Sequence, residues 1–366
     1  MLKCTVQKSW FSTPVLSVLL IVFSVGSLFV GATDIDVGTL FSGGDGMELK
    51  IFLLARIPRL LAILCTGIGM SAAGLIMQQL CMNKFVSPTT GATIQSAQFG
   101  IALAMTLLPT MGLWVRTLFA FVLAVAGTLL FVFFVQRIQV KDTVLVPLVG
   151  IMFGNIIGGI TNFIAWQAEI NQQLSTYFSG SFALIIRGNY ELVYLVVPLV
   201  ILAFIYANHF NIVGMGQDFS KNLGINYNLV LILGLSIASV ITASVIVIVG
   251  QISYIGLIVP NIVTLFKGDK IRGTLIDTAL FGALFVLICD IIARIVIAPY
   301  EIPIELVVGI IGSIIFIVML FYKLKHGKKA IRFGRHGKHG HHRGHCSHGH
   351  HDHRHSHQGR KHHEVA

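Results

Sequence analysis

Apolar residues fill the chain in long uninterrupted runs, not in the short periodic patterns of a water-soluble fold. The first run extends from Val15 to about Gly31, and a polar, glycine-containing stretch with Asp34, Asp36, Asp45 and Glu48 follows it. Further runs lie at about Ile51–Leu80, Thr89–Leu108, Trp114–Gln136, Val144–Trp166, Leu192–Ala207, Asn228–Val249, Leu275–Ala298 and Ile304–Tyr322. A helix crosses the hydrocarbon core of a bilayer with about 20 mainly apolar residues, so each run predicts a crossing. Gly256–Phe266 is apolar but too short to span, contains Pro260, and is bracketed by Gly250 and Gly268. Broken helices at membrane depth are tolerated where protein or a cavity surrounds them. This piece therefore predicts a short helix that turns back, for about ten membrane segments in all. Lys3 and Lys8 precede the first run. Val30-Gly31-Ala32 is a poor cleavage site, so we read that run as a retained helix and not as a signal peptide.

Charge supports the same arrangement. If every segment is counted, Lys3/Lys8, Lys84, Arg137/Lys141, Lys221, Lys267/Lys270/Arg272 and the C-terminal basic residues fall on one side. Asp34, Asp36, Asp45, Glu48, Glu169, Glu301 and Glu305 fall on the other. The Lys/Arg bias puts both termini in the cytoplasm, and the short turning-back helix is needed for this parity.

Composition then excludes whole classes. The chain is 55% hydrophobic and 11% charged, against roughly 25% charged in soluble globular proteins. A soluble enzyme, a nucleic-acid binder and a secreted disulfide scaffold are thereby excluded. The net charge of +11 is concentrated after Tyr322 and beside apolar runs, where the positive-inside rule expects it. Cys4, Cys65, Cys81, Cys289 and Cys346 are scattered and imply no disulfide framework. Gly67, Gly69, Ser71, Ala72, Ala73 and Gly74 are small residues of the kind that lets membrane helices pack closely.

Of the 15 histidines, only His209 precedes Phe321. The segment from His326 to His363 is rich in Gly, His, Lys and Arg and holds too little apolar surface to bury a core. The expected division is a transmembrane domain at 1–325 and a disordered tail at 326–366. His341, His342, His345, Cys346, His348, His350, His351 and His353 offer neutral imidazoles and a thiolate to divalent metals, weakly and without a single defined site.

No G-x-x-x-x-G-K-[ST] loop, triad spacing, H-E-x-x-H or paired-Cys motif occurs in the apolar part. Covalent chemistry is therefore not expected, and transport is. A carrier coupled to ions would place ionisable residues at mid-membrane; here the candidates are only Asp277 and Asp290.

Several spaced motifs now carry a resemblance. Arg56-Ile57-Pro58-Arg59 opens the second segment, GMSAAGLIMQQ spans Gly69–Gln79, and Asn83 to Pro88 reads NKFVSP. Gly250–Asn261 reads GQISYIGLIVPN, and Asp290-Ile-Ile-Ala-Arg294 is followed by Pro299, Glu301-Ile-Pro303 and Gly309. Over roughly residues 15–322 the chain resembles the permeases of iron-chelate and vitamin B12 ABC importers. It departs from their pattern at Lys84, usually Pro, at Ser87, usually acidic, and in its histidine tail.

The resemblance implies an all-α, polytopic, ten-helix type II ABC importer permease fold without an ATPase site of its own and with no cofactor in the core. It also implies a bacterial cytoplasmic-membrane location. The implied partners are separate ABC ATPase subunits, an extracytoplasmic substrate-binding protein and a second permease, identical or homologous. Arg56, Arg59 and Arg294 would face carboxylates of the docking protein, a task that suits a planar, permanently charged fork. A terminal arginine otherwise snorkels to headgroups, and Asp290, one turn before Arg294, allows an internal pair. MGQDFSKNLGI, with Gly216, Asp218, Phe219, Leu223 and Gly224, stands where these permeases carry the helix that couples to the ATPase. Asn83 and Phe85 stand at the turn that narrows the exit; Phe85 fits a hydrophobic plug or plain packing equally. The wording of the coupling segment leans toward ferric catecholate-type siderophores. The alternatives are a haem or cobalamin permease, an ion-coupled secondary carrier, and a membrane-anchored metal buffer whose tail is the active part.

Overall fold

The computed structural model describes residues 12–30, 47–90, 92–138, 145–188, 190–268, 271–298 and 300–336. The chain divides into two units, Met1–Phe316 and Ile317–Ala366. The metal-ligand candidates of the histidine tail lie outside the described residues.

Each predicted run is a helix. α1 is Thr13–Phe29, with a proline in its first turn. α2 is Ile57–Leu80, entered through Met47–Ile51 and a π-helical turn at Phe52–Arg56. Then follow α3 (Thr93–Leu107), α4 (Leu113–Ile138), α5 (Leu145–Gln167) and the short α6 (Asn171–Phe178). α7 is Val196–Ile205 and α8 is Ala207–Val213. α9 (Gln217–Asn222), α10 (Tyr227–Val249), α11 (Ile255–Lys267), α12 (Ile271–Ile295) and α13 (Ile304–His336) complete the series. Among the described residues six helices are long and apolar enough to cross a bilayer, and the bent pair that includes α7 and α8, at 62°, makes a seventh if it is one span. The other three expected segments are α1, α3 and α11, which have 17, 15 and 13 residues. α13 starts in the first unit, runs on through the second and extends into the segment expected to lack structure.

α2 is the central helix, packed against α7, α10, α11 and α12. Its small residues from Gly67 to Gly74 are buried except Ile68, and they set the spacing. A Cβ at Gly67 would lie 2.5 Å from Ala283 Cα, and one at Gly74 would overlap the backbone of Gly256. Close backbone approach is how helices gain contact in lipid, which offers no hydrophobic drive between them. A second apolar cluster joins α3 to α4 and α10 through Ala97, Ala102, Ala120, Ala124 and Ala243. α4 and α5 leave Phe133, Ile156 and Phe163 exposed, as suits lipid contact.

The break between α10 and α11 is built from particular residues. Gly250 has φ +88° and Tyr254 φ +69°, the latter an uncommon conformation for a bulky side chain. The backbone groups freed there are paired with the strand-like segment after α6. Gln251 N–H donates to Phe178 O and Ser181 N–H to Val249 O, both at 3.0 Å. Pro260 has no N–H for the Gly256 carbonyl one turn back, and the Gln78 amide of α2 donates to that oxygen at 3.3 Å.

Candidate functional site

At the Arg59 end of the bundle, four charged side chains from three elements meet. Arg59 Nη2 lies 2.8 Å from Asp290 Oδ1, and Arg59 Nη1 donates to both Glu301 oxygens at 2.8 and 2.9 Å. Arg294 Nη2 pairs with Asp290 Oδ2 at 2.6 Å, the one-turn pair that the sequence spacing allows. Asp290 is 1% exposed and held by two cations. A buried carboxylate persists when it is paired in this way. Arg294 also donates to Ser27 O at 3.0 Å, to Ser27 Oγ and to Val30 O, the last carbonyls of α1. Arg56 Nη1 donates to Leu28 O at 2.5 Å. Arg56, Arg59 and Arg294 are thus brought to one place, and Arg59 and Arg294 direct their charge into the protein. A crevice of about 130 Å³ opens between them, lined by Ser27, Arg56, Arg59, Phe182, Arg294 and Glu301.

At the other end, Lys267 of α11 pairs with the buried Asp277 of α12, and Thr13 Oγ1 of α1 donates to the same carboxylate at 2.8 Å. The two carboxylates weighed as ion-coupling groups, Asp277 and Asp290, are therefore both fixed in ion pairs.

The turn after α2 is rigid. Asn83 Oδ1 accepts the Phe85 N–H at 2.9 Å, and Asn261 of α11 donates to Lys84 O at 2.6 Å. Phe85 is half exposed and meets Phe316 edge to face, with ring centres 6.2 Å apart. One side of the ring is packed and the rest is exposed.

The segment expected to couple to an ATPase is a short helix between two glycines. Gly216 (φ +110°) precedes α9 and Gly224 (φ +72°) follows it, both in the conformation that favours glycine. Ser220 is buried and its hydroxyl donates to Gly216 O at 2.8 Å and Ile212 O at 3.2 Å, which roots α9 on α8. Phe219 and Leu223 stay 46% and 54% exposed, a half-apolar face left open among the described residues. Beside it lies a groove of about 400 Å³ lined by Gln217, Lys221, Tyr227 and Asn228.

One feature of α5 escaped sequence reasoning. Asn155, Gly159 and Asn162 are all exposed, and the spacing of four and seven residues aligns them on one side of the helix. Ile156, Ile160 and Phe163 form the adjoining exposed strip, and Ile151 and Trp166 flank the amides.

Residues 19–322 match the FecCD transport family. The chain belongs to this family. It is 47% identical to the petrobactin import system permease protein YclN of Bacillus subtilis, over 83% of this chain and 96% of that protein. It is 35% identical to the ferric-anguibactin transport system permease protein FatD of Vibrio anguillarum, over 80% and 93%. A petrobactin import permease of Bacillus anthracis, also FatD, matches at 35% over 87% and 94%. The fold is that of an inward-facing metal-chelate type ABC transporter, with TM-score 0.74 at 23% identity, covering 84% of this chain and 97% of that one. The resemblance read from the motifs is thereby established. This FecCD protein is a multi-pass ABC importer permease, a transport subunit whose ATP hydrolysis belongs to a separate subunit.

Within that frame, the sequence pointed to Arg59 and Arg294 but not to Glu301 as a partner of Arg59, nor to the Thr13–Asp277–Lys267 junction. Those pairs join residues 242, 264 and 10 positions apart, and only helix packing selects them. The α5 stripe did carry a signal, the seven-residue repeat of an amide inside an apolar run.

Proposed function

We propose that this chain carries a ferric siderophore of the petrobactin type into the cell as the permease subunit of an ABC importer. The observation that carries the ligand is the 47% identity to a petrobactin permease over 83% of this chain and 96% of that protein. The geometry supplies the path. Two exposed amides on one side of an apolar membrane helix are costly against lipid, so the Asn155–Gly159–Asn162 side faces a polar passage completed by a second permease. The Ile156–Ile160–Phe163 side faces the bilayer.

In this reading the Arg59 end is extracytoplasmic and the Lys267 end cytoplasmic, with both termini inside, following the charge asymmetry. The substrate-binding protein docks over Arg56 and Arg59, with Arg294 fixing α1 beneath them. α9 presents Gly216, Asp218, Phe219, Leu223 and Gly224 to the ATPase. Asn83 holds Phe85 at the inner narrowing. The core needs no cofactor, and the His341–His353 tract is a weak divalent-metal binder.

The test is replacement of YclN in Bacillus subtilis by this chain, with uptake of iron from ferric petrobactin measured. Restored uptake that disappears when the system's ATPase is inactivated is expected. Uptake that survives ATPase inactivation would instead mark a secondary carrier, and restored haem or cobalamin uptake without petrobactin uptake would move the ligand. Single cysteines at Asn155 and Asn162, in a background without other accessible cysteines, should react with a hydrophilic thiol reagent. Cysteines at Ile156 and Ile160 should not.

A further inference from the structure

Arg59 holds two carboxylates that differ in kind. Asp290 is 1% exposed and shared with Arg294, whereas Glu301 is 25% exposed and has Arg59 as its only ion-pair partner among the described residues. Arg59 Nε is buried without a hydrogen-bond partner, so the present arrangement leaves a donor of the fork unused. The crevice beside it is bounded by Glu301 and by all three arginines. Glu301 belongs to the loop ahead of α13, where Ile302 N–H donates to Ala293 O at 3.1 Å and Glu305 N–H to Gly180 O at 3.3 Å.

We propose that Glu301 is an internal stand-in for a docking carboxylate: it occupies Arg59 until an acidic side chain of the substrate-binding protein takes its place. This rests on the docking role assigned to Arg56 and Arg59 above. The exchange is asymmetric. Asp290 cannot leave, because its departure strands two cations in a buried site. Glu301 can leave, because a partly exposed pair contributes little and water solvates the released carboxylate. Arg59 therefore stays anchored to α12 while its outward partner changes. The released Glu301 removes the side-chain tie on the loop that leads into α13, while its backbone bonds to Ala293 and Gly180 remain. Glu301 is thus a positioning residue for docking, with an effect opposite in sign to that of a structural tie.

The experiment uses the permease assembled with its ATPase subunits in nanodiscs. The probe is the substrate-binding protein that serves this permease, loaded with ferric petrobactin, and the readout is its dissociation constant at low and high salt. Glu301→Gln should bind the probe about twofold to fivefold tighter, the range of one partly exposed ion pair. The gain should shrink at high salt. Glu301→Asp should behave as wild type. Glu301→Ala should tighten binding as Glu301→Gln does, because either change removes the competing carboxylate and leaves the Arg59–Asp290 pair in place. Unchanged or weaker binding by Glu301→Gln and Glu301→Ala overturns the proposal, and the docking site itself then stands. Wild-type binding by the double variant Arg56→Glu/Arg59→Glu would remove the docking site and this inference with it.

Discussion

Replacing Asp290 by Asn strikes the centre of the charge cluster while preserving its shape. The side chain is 1% exposed and sits 2.8 Å from Arg59 and 2.6 Å from Arg294. After the substitution Arg59 keeps Glu301, so half of the loss is cushioned. Arg294 keeps only neutral acceptors on α1, namely Ser27 and Val30. Removing one member of a buried pair costs about 3–5 kcal/mol; the retained Glu301 places this case near the lower bound, at about 3 kcal/mol. Removing the stranded cation as well, in Asp290→Asn/Arg294→Met, should recover most of that loss. It should remain about 1 kcal/mol below wild type, because the α1 acceptors lose their donor. The assay is reversible unfolding in mixed micelles of rising SDS content, followed by tryptophan fluorescence for wild type, both single variants and the double variant. A single Asp290→Asn within about 0.5 kcal/mol of wild type would refute the reasoning, and so would a double variant whose loss equals the sum of the singles.

Three further outcomes follow from other parts of the molecule. Phe219→Asp or Leu223→Asp should abolish co-purification of the ATPase and transport together while the permease still folds, since both side chains are exposed in this chain; an intact complex would make α9 an ordinary loop. Gly74→Ala should destabilise by about 1–3 kcal/mol through overpacking against Gly256. Gly112→Ala, with nothing within 4 Å of the new methyl, should stay within about 0.5 kcal/mol in the same unfolding assay. Deletion of residues 337–366 should leave uptake intact and remove zinc binding that weakens as pH falls through about 6.5, because imidazole ligates only when neutral; lost uptake would place the tail in the transport machine.

The helices were legible because a continuous apolar run of membrane length has few other uses. Even the short α11 was legible, from Gly250, Pro260 and Gly268. The helix α8 was not: the apolar run ends at about Ala207 in the sequence, and Tyr206 occupies the break there with neither glycine nor proline to mark it. The reach of α13 to His336 was also missed, since a helix propagates past the apolar stretch that nucleates it. Asp290 and Arg294 could be paired on paper because one turn separates them. Glu301 and Arg59 could not, since which of the polar groups at one end of the bundle meet depends on how α2 and α12 are set against each other. The exposed face of α9 was readable from its bracketing glycines, but its rooting through Ser220 was not.

α1 is fastened at both ends by residues that the ribosome delivers late. Thr13 is bound by Asp277, 264 positions on, and Ser27 by Arg294, 267 positions on. At about 5–20 residues per second, the interval between making the helix and making its fasteners is roughly 13–53 s. During that time α1 has the early Arg56 bond to Leu28 O but neither of these two long-range ties. Chains that stop before α12 therefore lack both long-range ties of α1, and the helix is completed as a fixed element only when α12 is in place.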